Sequence, residues 1–268
     1  MEIAIITGTS SGLGKEFLKQ IYDRYSCLDE IWIISRRESK LFDIKKSIEK
    51  ENGPVIIPMA LDLTDEDSCL LLSDKLNRQK PNIRVLINNA GCGVIGDVLD
   101  ADYKAQANMV DINVRALTVI TTLVLKYMKP GKTEGTKTYP FIINVCSIAS
   151  FAPNPRMSVY CSTKAYVMSY TKALNYELKR RFGKNRINVL AVCPGPMRTE
   201  FLEVAGIAPG TSKTFDILPY CIPEKVAQKA VERAEKGKTV YTPRLLYKIY
   251  RIVAKILPHN WIMPVSKT

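Results

Sequence analysis

Tyr160 and Lys164 stand four residues apart in a stretch whose pattern predicts a helix over about 157–182. Residues at that spacing share one helix face, with β-carbons about 5–6 Å apart, so an ammonium is set beside a phenol. A phenol titrates near ~10 in water and is a poor proton donor or acceptor at neutral pH. A fixed positive charge nearby favours the phenolate and lowers that value, which makes such a tyrosine usable for acid–base chemistry. Taken alone, the pair is also what a core tyrosine beside a solvated lysine would give. Ser147, at the end of an apolar run ahead of this helix, could hydrogen-bond a carbonyl oxygen, although serine there is also a common cap or turn residue.

The elements that must position these groups follow from periodicity. Apolar runs predict strands near 2–7, 30–35, 55–60, 83–88, 139–146, 186–192 and 238–241, and helical patterns fall near 12–25, 39–50, 65–79, 102–128, 157–182 and 224–236. Such alternation predicts an α/β fold, a parallel sheet of about seven strands with helices on both faces. Ligands of open parallel sheets bind at the carboxyl ends of the strands, and Gly8, Asn88, Ser147 and Pro194 all fall just past such ends. Asn113, inside the helix beginning near Asp102, is a poor helix former. Buried there it needs partners, and by itself it reads as a satisfied core amide.

Between the first strand and first helix runs Thr7-Gly8-Thr9-Ser10-Ser11-Gly12-Leu13-Gly14. Glycines in that position let backbone N–H groups and the helix N-terminus approach a pyrophosphate, which points to dinucleotide binding. The second strand ends in Ser35-Arg36-Arg37, where an NAD site would carry an acid for the ribose diol. Two guanidiniums suit a phosphate instead, predicting NADP(H) in preference to NAD(H). The competing reading is a pair of solvated loop arginines.

Composition narrows the classes. The chain has 268 residues, 46% of them apolar, and a net charge of +13. That length suits one sizeable core. The seven cysteines are scattered without metal-ligand spacing and read as reduced thiols. With His259 as its one histidine, far along the tail, neither a His-based metal site nor a Ser-His-Asp triad is expected. Met1 leads directly into Ile3-Ala4-Ile5-Ile6 without a basic or apolar leader, and the apolar run near 116–125 falls short of a membrane span, so a cytoplasmic protein is expected. The basic residues are spread along the chain without aromatic interleaving, which argues against nucleic acid and for an anionic cofactor or membrane surface.

These residues, in this order, resemble the classical short-chain dehydrogenase/reductase family: the Thr7–Gly14 turn, Asp62-Leu63, Asn88-Asn89-Ala90-Gly91, Asn113, Ser147, Tyr160 with Lys164, and Pro194-Gly195-Pro196-Met197-Arg198-Thr199. The match runs over about residues 1–200. The resemblance implies a Rossmann-type doubly wound sheet and a hydride transfer between NADP(H) and a carbonyl or alcohol carbon. It implies that Asn113, Ser147, Tyr160 and Lys164 are the catalytic set, Asn113 holding a water that links Lys164 to solvent. It also implies cofactor contacts from Gly8, Ser10, Ser11, Gly12, Leu13 and Gly14, from Asp62 and Leu63 at the adenine, from Asn89, Ala90 and Gly91, and from Pro194, Gly195, Met197 and Thr199, with no metal. Two departures stand out: Cys146 replaces a frequent serine, and no basic residue precedes Gly12.

Residues 198–222 read as an apolar lid, with Phe201, Leu202, Val204, Ile207, Phe215, Ile217 and Leu218 among glycine and proline. An apolar lid suits a steroid, fatty-acyl or other lipid-like carbonyl compound. The expected organisation is one domain over 1–243 followed by a basic amphipathic tail over 244–268, which either lies on an anionic membrane surface or packs on protein. A homo-oligomer is expected. An NADP-binding sensor or scaffold without turnover, or a membrane-surface protein, remains the alternative to an enzyme.

Overall fold

Strands β1 (Glu2–Thr7), β2 (Glu30–Ser35), β3 (Val55–Ala60), β4 (Asn82–Asn88), β5 (Phe141–Val145), β6 (Asn188–Val192) and β7 (Val240–Tyr241) form one parallel sheet in the order β3-β2-β1-β4-β5-β6-β7. The computed structural model describes residues 1–132, 138–207 and 213–265. Both faces of the sheet are covered, which is why its strands read as unbroken apolar runs. Ile3, Ile5, Trp32, Ile34 and Val189 pack on one face against helices α3 (Glu66–Gln79), α5 (Leu117–Leu125) and α6 (Ser158–Phe182). Ala4, Ile6, Ile31, Ile33 and Leu190 pack on the other against α1 (Gly12–Arg24), α2 (Glu38–Ile48) and α9 (Pro223–Glu235). Strand order reverses between β1 and β4, and the crevice at such a switch point is where ligands of doubly wound sheets bind.

Local chemistry sets several boundaries. The Asp65 carboxylate accepts from Ser68 N at 2.9 Å and caps α3, and Pro223 opens α9 at a position where its missing N–H costs nothing. The helix expected over 102–128 is divided into α4 (Tyr103–Val110), a π-helical turn (Asp111–Ala116) and α5. Asp102 caps α4 through Lys104 N and Ala105 N. Helix α5 stops short of 128 because the Tyr127 carbonyl accepts from Ile83 N, tying the chain to β4. The last strand is shorter than 238–241 because Lys238 N bonds back to Arg233 O, closing α9 over Gly237. Of the expected surface connection over 130–135, residues 133–135 lie outside the described residues.

The predicted lid contains two short helices, α7 (Glu200–Val204) and α8 (Lys213–Ile217), and residues 208–212 between them lie outside the described residues. The tail forms α10 (Leu245–Ile256) and α11 (His259–Ile262), and 266–268 lie outside. Tyr247 and Ala254, on the inner face of α10, are buried. Gly195 is where α10 meets the sheet ends: a Cβ there would lie 2.2 Å from the Tyr247 ring.

Candidate active site

A cleft of about 660 Å³ opens at the carboxyl ends of the strands. The residues expected to act in catalysis or hold the cofactor line it, apart from Gly14 and Asn113, and Asn88 does not reach it either. Gly14 is there for close packing, since a Cβ would fall 2.1 Å from Gly8 O. Gly8 takes φ +67°, a conformation that favours glycine. Asn89 holds this turn to the end of β4: its amide donates to Thr7 O (3.1 Å) and Gly8 O (2.9 Å), while Thr7 Oγ1 accepts from Asn89 N and Ala90 N (3.0 Å each). The Asn89 side chain is thus spent on shaping the cradle.

Asn88 is buried and donates to Thr121 Oγ1 (2.9 Å) and Asn144 Oδ1 (2.8 Å), and Asn144 in turn donates to Thr171 (2.9 Å). This chain of amides and hydroxyls ties β4 and β5 to α5 and α6. Asn113, on the π-turn, accepts from Cys92 N (3.0 Å) and donates to Cys92 O (2.9 Å) and Thr163 Oγ1 (3.1 Å). Both of its amide donors are used, and the loop after β4 is clamped at Gly91 and Cys92 against α6. π-turns recur where a helix is locally re-aimed at a functional site.

Lys164 Nζ donates to Val145 O at 3.1 Å and lies 5.7 Å from the centre of the Tyr160 ring. Ser147 ends the β5 loop and accepts from Ala149 N at 3.1 Å. The expected lowering of the Tyr160 pKa by Lys164 is corrected by the geometry. Tyr160 is buried, burial raises its phenol above the ordinary value, and the hydrogen bond with Ser147 offsets only part of that. Burial also pushes the Lys164 ammonium down, since an enclosed lysine loses its hydration. Both groups are therefore driven toward their neutral forms, and Tyr160 holds its proton. The adjoining cysteines are free thiols, and burial pushes Cys161 up to about 11.

At the other end of the cleft, Arg37 Nη2 donates to Ser10 Oγ (2.8 Å), Ser11 Oγ (3.4 Å) and Glu200 Oε2 (2.7 Å). Arg36 Nη1 lies 3.9 Å from Asp62 Oδ2. The bonds from Arg37 and Ser11 hold the Glu200 carboxyl below its usual range. Thr199 presses on Gly12, whose Cβ would lie 3.1 Å from the threonine Cβ.

Sequence reasoning missed Glu200, Tyr247 and Tyr250. Glu200 had a local signal, an acid directly after Thr199 at a helix start. Tyr247 and Tyr250 are remote in sequence from every motif and looked like tail residues. Phe201 was expected in the lid, but its ring lies 5.9 Å from that of Tyr160.

A sequence model described as short chain dehydrogenase matches residues 2–209. The chain is 33% identical over 201 residues to an NADP-dependent 3-hydroxy acid dehydrogenase of Schizosaccharomyces pombe, covering 75% of this chain and 73% of that protein. It is 27% identical over 248 residues to a 3-oxoacyl-[acyl-carrier-protein] reductase of Rickettsia prowazekii, covering 91% and 93%. Among solved structures, a short-chain dehydrogenase from Sphingobium yanoikuyae in complex with NADPH superposes with a TM-score of 0.76 at 24% identity, covering 96% of this chain and 97% of that one. A short chain dehydrogenase/reductase from Burkholderia phymatum in complex with NAD gives 0.75 at 18%, covering 94% and 92%. With the Tyr160, Lys164 and Ser147 cluster at the strand ends and a match over most of its length, the chain belongs to the short chain dehydrogenase family, an oxidoreductase acting on CH–OH and C=O groups.

Proposed function

We propose that this protein is an NADP(H)-dependent reductase of an apolar ketone or aldehyde. The observation that carries the reading is the convergence of Ser147, Tyr160 and Lys164 on the cleft wall beside an apolar chamber bounded by Met157, Phe201, Phe215, Leu218 and Tyr250. In this reading residues 1–243 are the catalytic unit and Leu246, Tyr247 and Tyr250 of α10 complete the substrate wall.

The residues present fit a phosphorylated dinucleotide. Ser35 Oγ, on the cleft at the end of β2, is buried without a protein partner, and the turn that lines the cleft is shaped by Gly8 and Gly12, both at positive φ. Ser10, Arg36 and Arg37 would hold the ribose phosphate, Asp62 and Leu63 the adenine, and Thr199 with Pro194, Gly195 and Met197 the nicotinamide end. When bound, the cofactor supplies the hydride. Ser147 Oγ orients the substrate oxygen, and Tyr160 Oη, held protonated by burial, delivers the proton to it. Lys164 supplies donors to the nicotinamide ribose. Asn113, with both amide donors on Cys92 and Thr163, fixes the loop that borders Lys164. Phe201 and Met157 exclude water from the reacting oxygen, which strengthens each of these bonds.

The preference for NADP(H) rests on Arg36 and Arg37, and the NADP dependence of the Schizosaccharomyces pombe relative supports it. Following NADPH oxidation against a panel of apolar ketones tests the activity; tight NADPH binding without turnover on any of them would favour a sensor. Replacing both arginines by alanine should weaken NADPH far more than NADH, and equal losses would refute phosphate reading.

A further inference from the structure

Helix α10 carries two apolar faces, and only one is covered. Tyr247, Tyr250, Arg251 and Ala254 face the protein, while Leu245, Ile249, Ile252 and Ile256 form a stripe on the outside, widened by Leu246 and Val253. Leu245 is 70% and Ile256 73% exposed, and Trp261 beyond them is 68% exposed. At 3.6 residues per turn, Arg244, Lys248 and Lys255 fall together along one edge of that stripe. Its other edge meets the cleft: Leu246 and Tyr250 line it opposite Val204 and Leu218 of the lid. After Glu235 the chain contains no acidic residue, but carries Lys236, Lys238, Arg244, Lys248, Arg251, Lys255 and Lys267.

We propose that the outer face of α10, with Trp261, docks on the surface of an anionic lipid bilayer, laying the mouth of the cleft against it. A second copy docking through the same segment would set one basic edge against another, because that segment carries no acidic residue. A bilayer with anionic headgroups offers both partners at once: acyl chains for the leucine and isoleucine stripe, and phosphates for the lysines beside it. Aromatic residues such as Trp261 suit the headgroup boundary. The lid residue Val204, exposed at the same mouth, would meet the same surface. The docked orientation lets an apolar carbonyl compound pass from lipid to cleft; this last step rests on the reductase reading, whereas the docking does not.

The test is flotation of the full chain with vesicles of phosphatidylcholine alone or mixed equally with phosphatidylglycerol. The wild-type chain should float with the anionic vesicles and lose that binding as salt is raised. Ile249→Glu with Ile252→Glu, both on the exposed stripe, should reduce flotation about tenfold or more with an unchanged circular dichroism spectrum. Lys248→Glu with Lys255→Glu should weaken binding to anionic vesicles specifically. Failure of the wild type to float, equal flotation on neutral and anionic vesicles, or undiminished binding by the glutamate pair would overturn the proposal. So would a dimer, seen by sedimentation, that the Ile249 and Ile252 changes dissociate. Flotation reads binding without turnover, so a protein that floats but reduces no ketone would leave docking standing and sink the reductase reading.

Discussion

Tyr160 is kept protonated by burial, and a lysine beside it is not enough to reverse that. In the proposed reaction this favours the donating direction at neutral pH. Tyr160→Phe should lower ketone reduction by about 10²–10⁴-fold and leave NADPH binding, read by fluorescence titration, nearly unchanged. Because the raised pKa preserves the acid form, the reduction rate should stay level through neutral pH and fall only in the alkaline range, while alcohol oxidation rises there. A pH–rate profile with a loss of reduction near neutrality would contradict this assignment. Glu200 takes the donors of Arg37 and Ser11 that a ribose phosphate would use. The Arg37–Glu200 pair is half exposed, and such pairs contribute roughly 0–1 kcal/mol. Glu200→Gln should therefore tighten NADPH by about two- to fivefold and leave NADH unaffected, as competitive titration of the two nucleotides would reveal.

At the level of elements, the site depends on two pieces of backbone that pattern reading treats as ordinary. One is the π-turn that carries Asn113 to Cys92; Asn113→Ala removes three bonds and leaves the Cys92 backbone groups unpaired, so both stability and turnover should fall. The other is the contact between Gly195 and α10. Gly195→Ala drives a methyl into the Tyr247 ring and should cost about 1–3 kcal/mol, measurable by urea unfolding, with a loss of turnover as α10 shifts from the cleft. The same change in a Tyr247→Ala background should cost much less, since the ring is gone; additive costs would place the strain elsewhere.

Across the whole molecule, several phenols share the environment of Tyr160. Burial raises Tyr25, which also donates to Glu235 at 2.6 Å, and Tyr247, which donates to Pro219 O at 2.7 Å. A group whose folded pKa is raised contributes stability that is complete below its unfolded value and is lost as pH rises toward the folded one. Several buried thiols, Cys161 among them, are raised in the same way, so the melting temperature should begin to fall above about pH 8.5, the unfolded thiol value, and fall more steeply beyond about pH 10. Lys164, pushed down by burial, acts in the opposite sense, but it is outnumbered by the buried phenols and thiols. A melting temperature that rises between neutral pH and strongly alkaline conditions would show that the tyrosines are not enclosed as described.

The α/β alternation, the glycine turn and the Tyr160–Lys164 spacing were legible because each is local: a period of two or 3.6, a run of eight residues, one helical turn. Strand β1 and helix α6 fall where periodicity sets them, since apolar runs buried on both faces admit little else. The fate of Tyr160 was not legible in the same way. Spacing sets a lysine near a phenol, but the sign of the pKa shift depends on how much water the assembled core removes from both. The pairing of Glu200 with Arg37 joins residues 163 positions apart, and the insertion of Tyr247 beside Gly195 depends on how the chain returns after β7. Which side of α10 is covered was likewise undetermined, because both of its faces carry apolar residues. Only packing against the strand ends turns Tyr247 inward and leaves the isoleucine stripe outside.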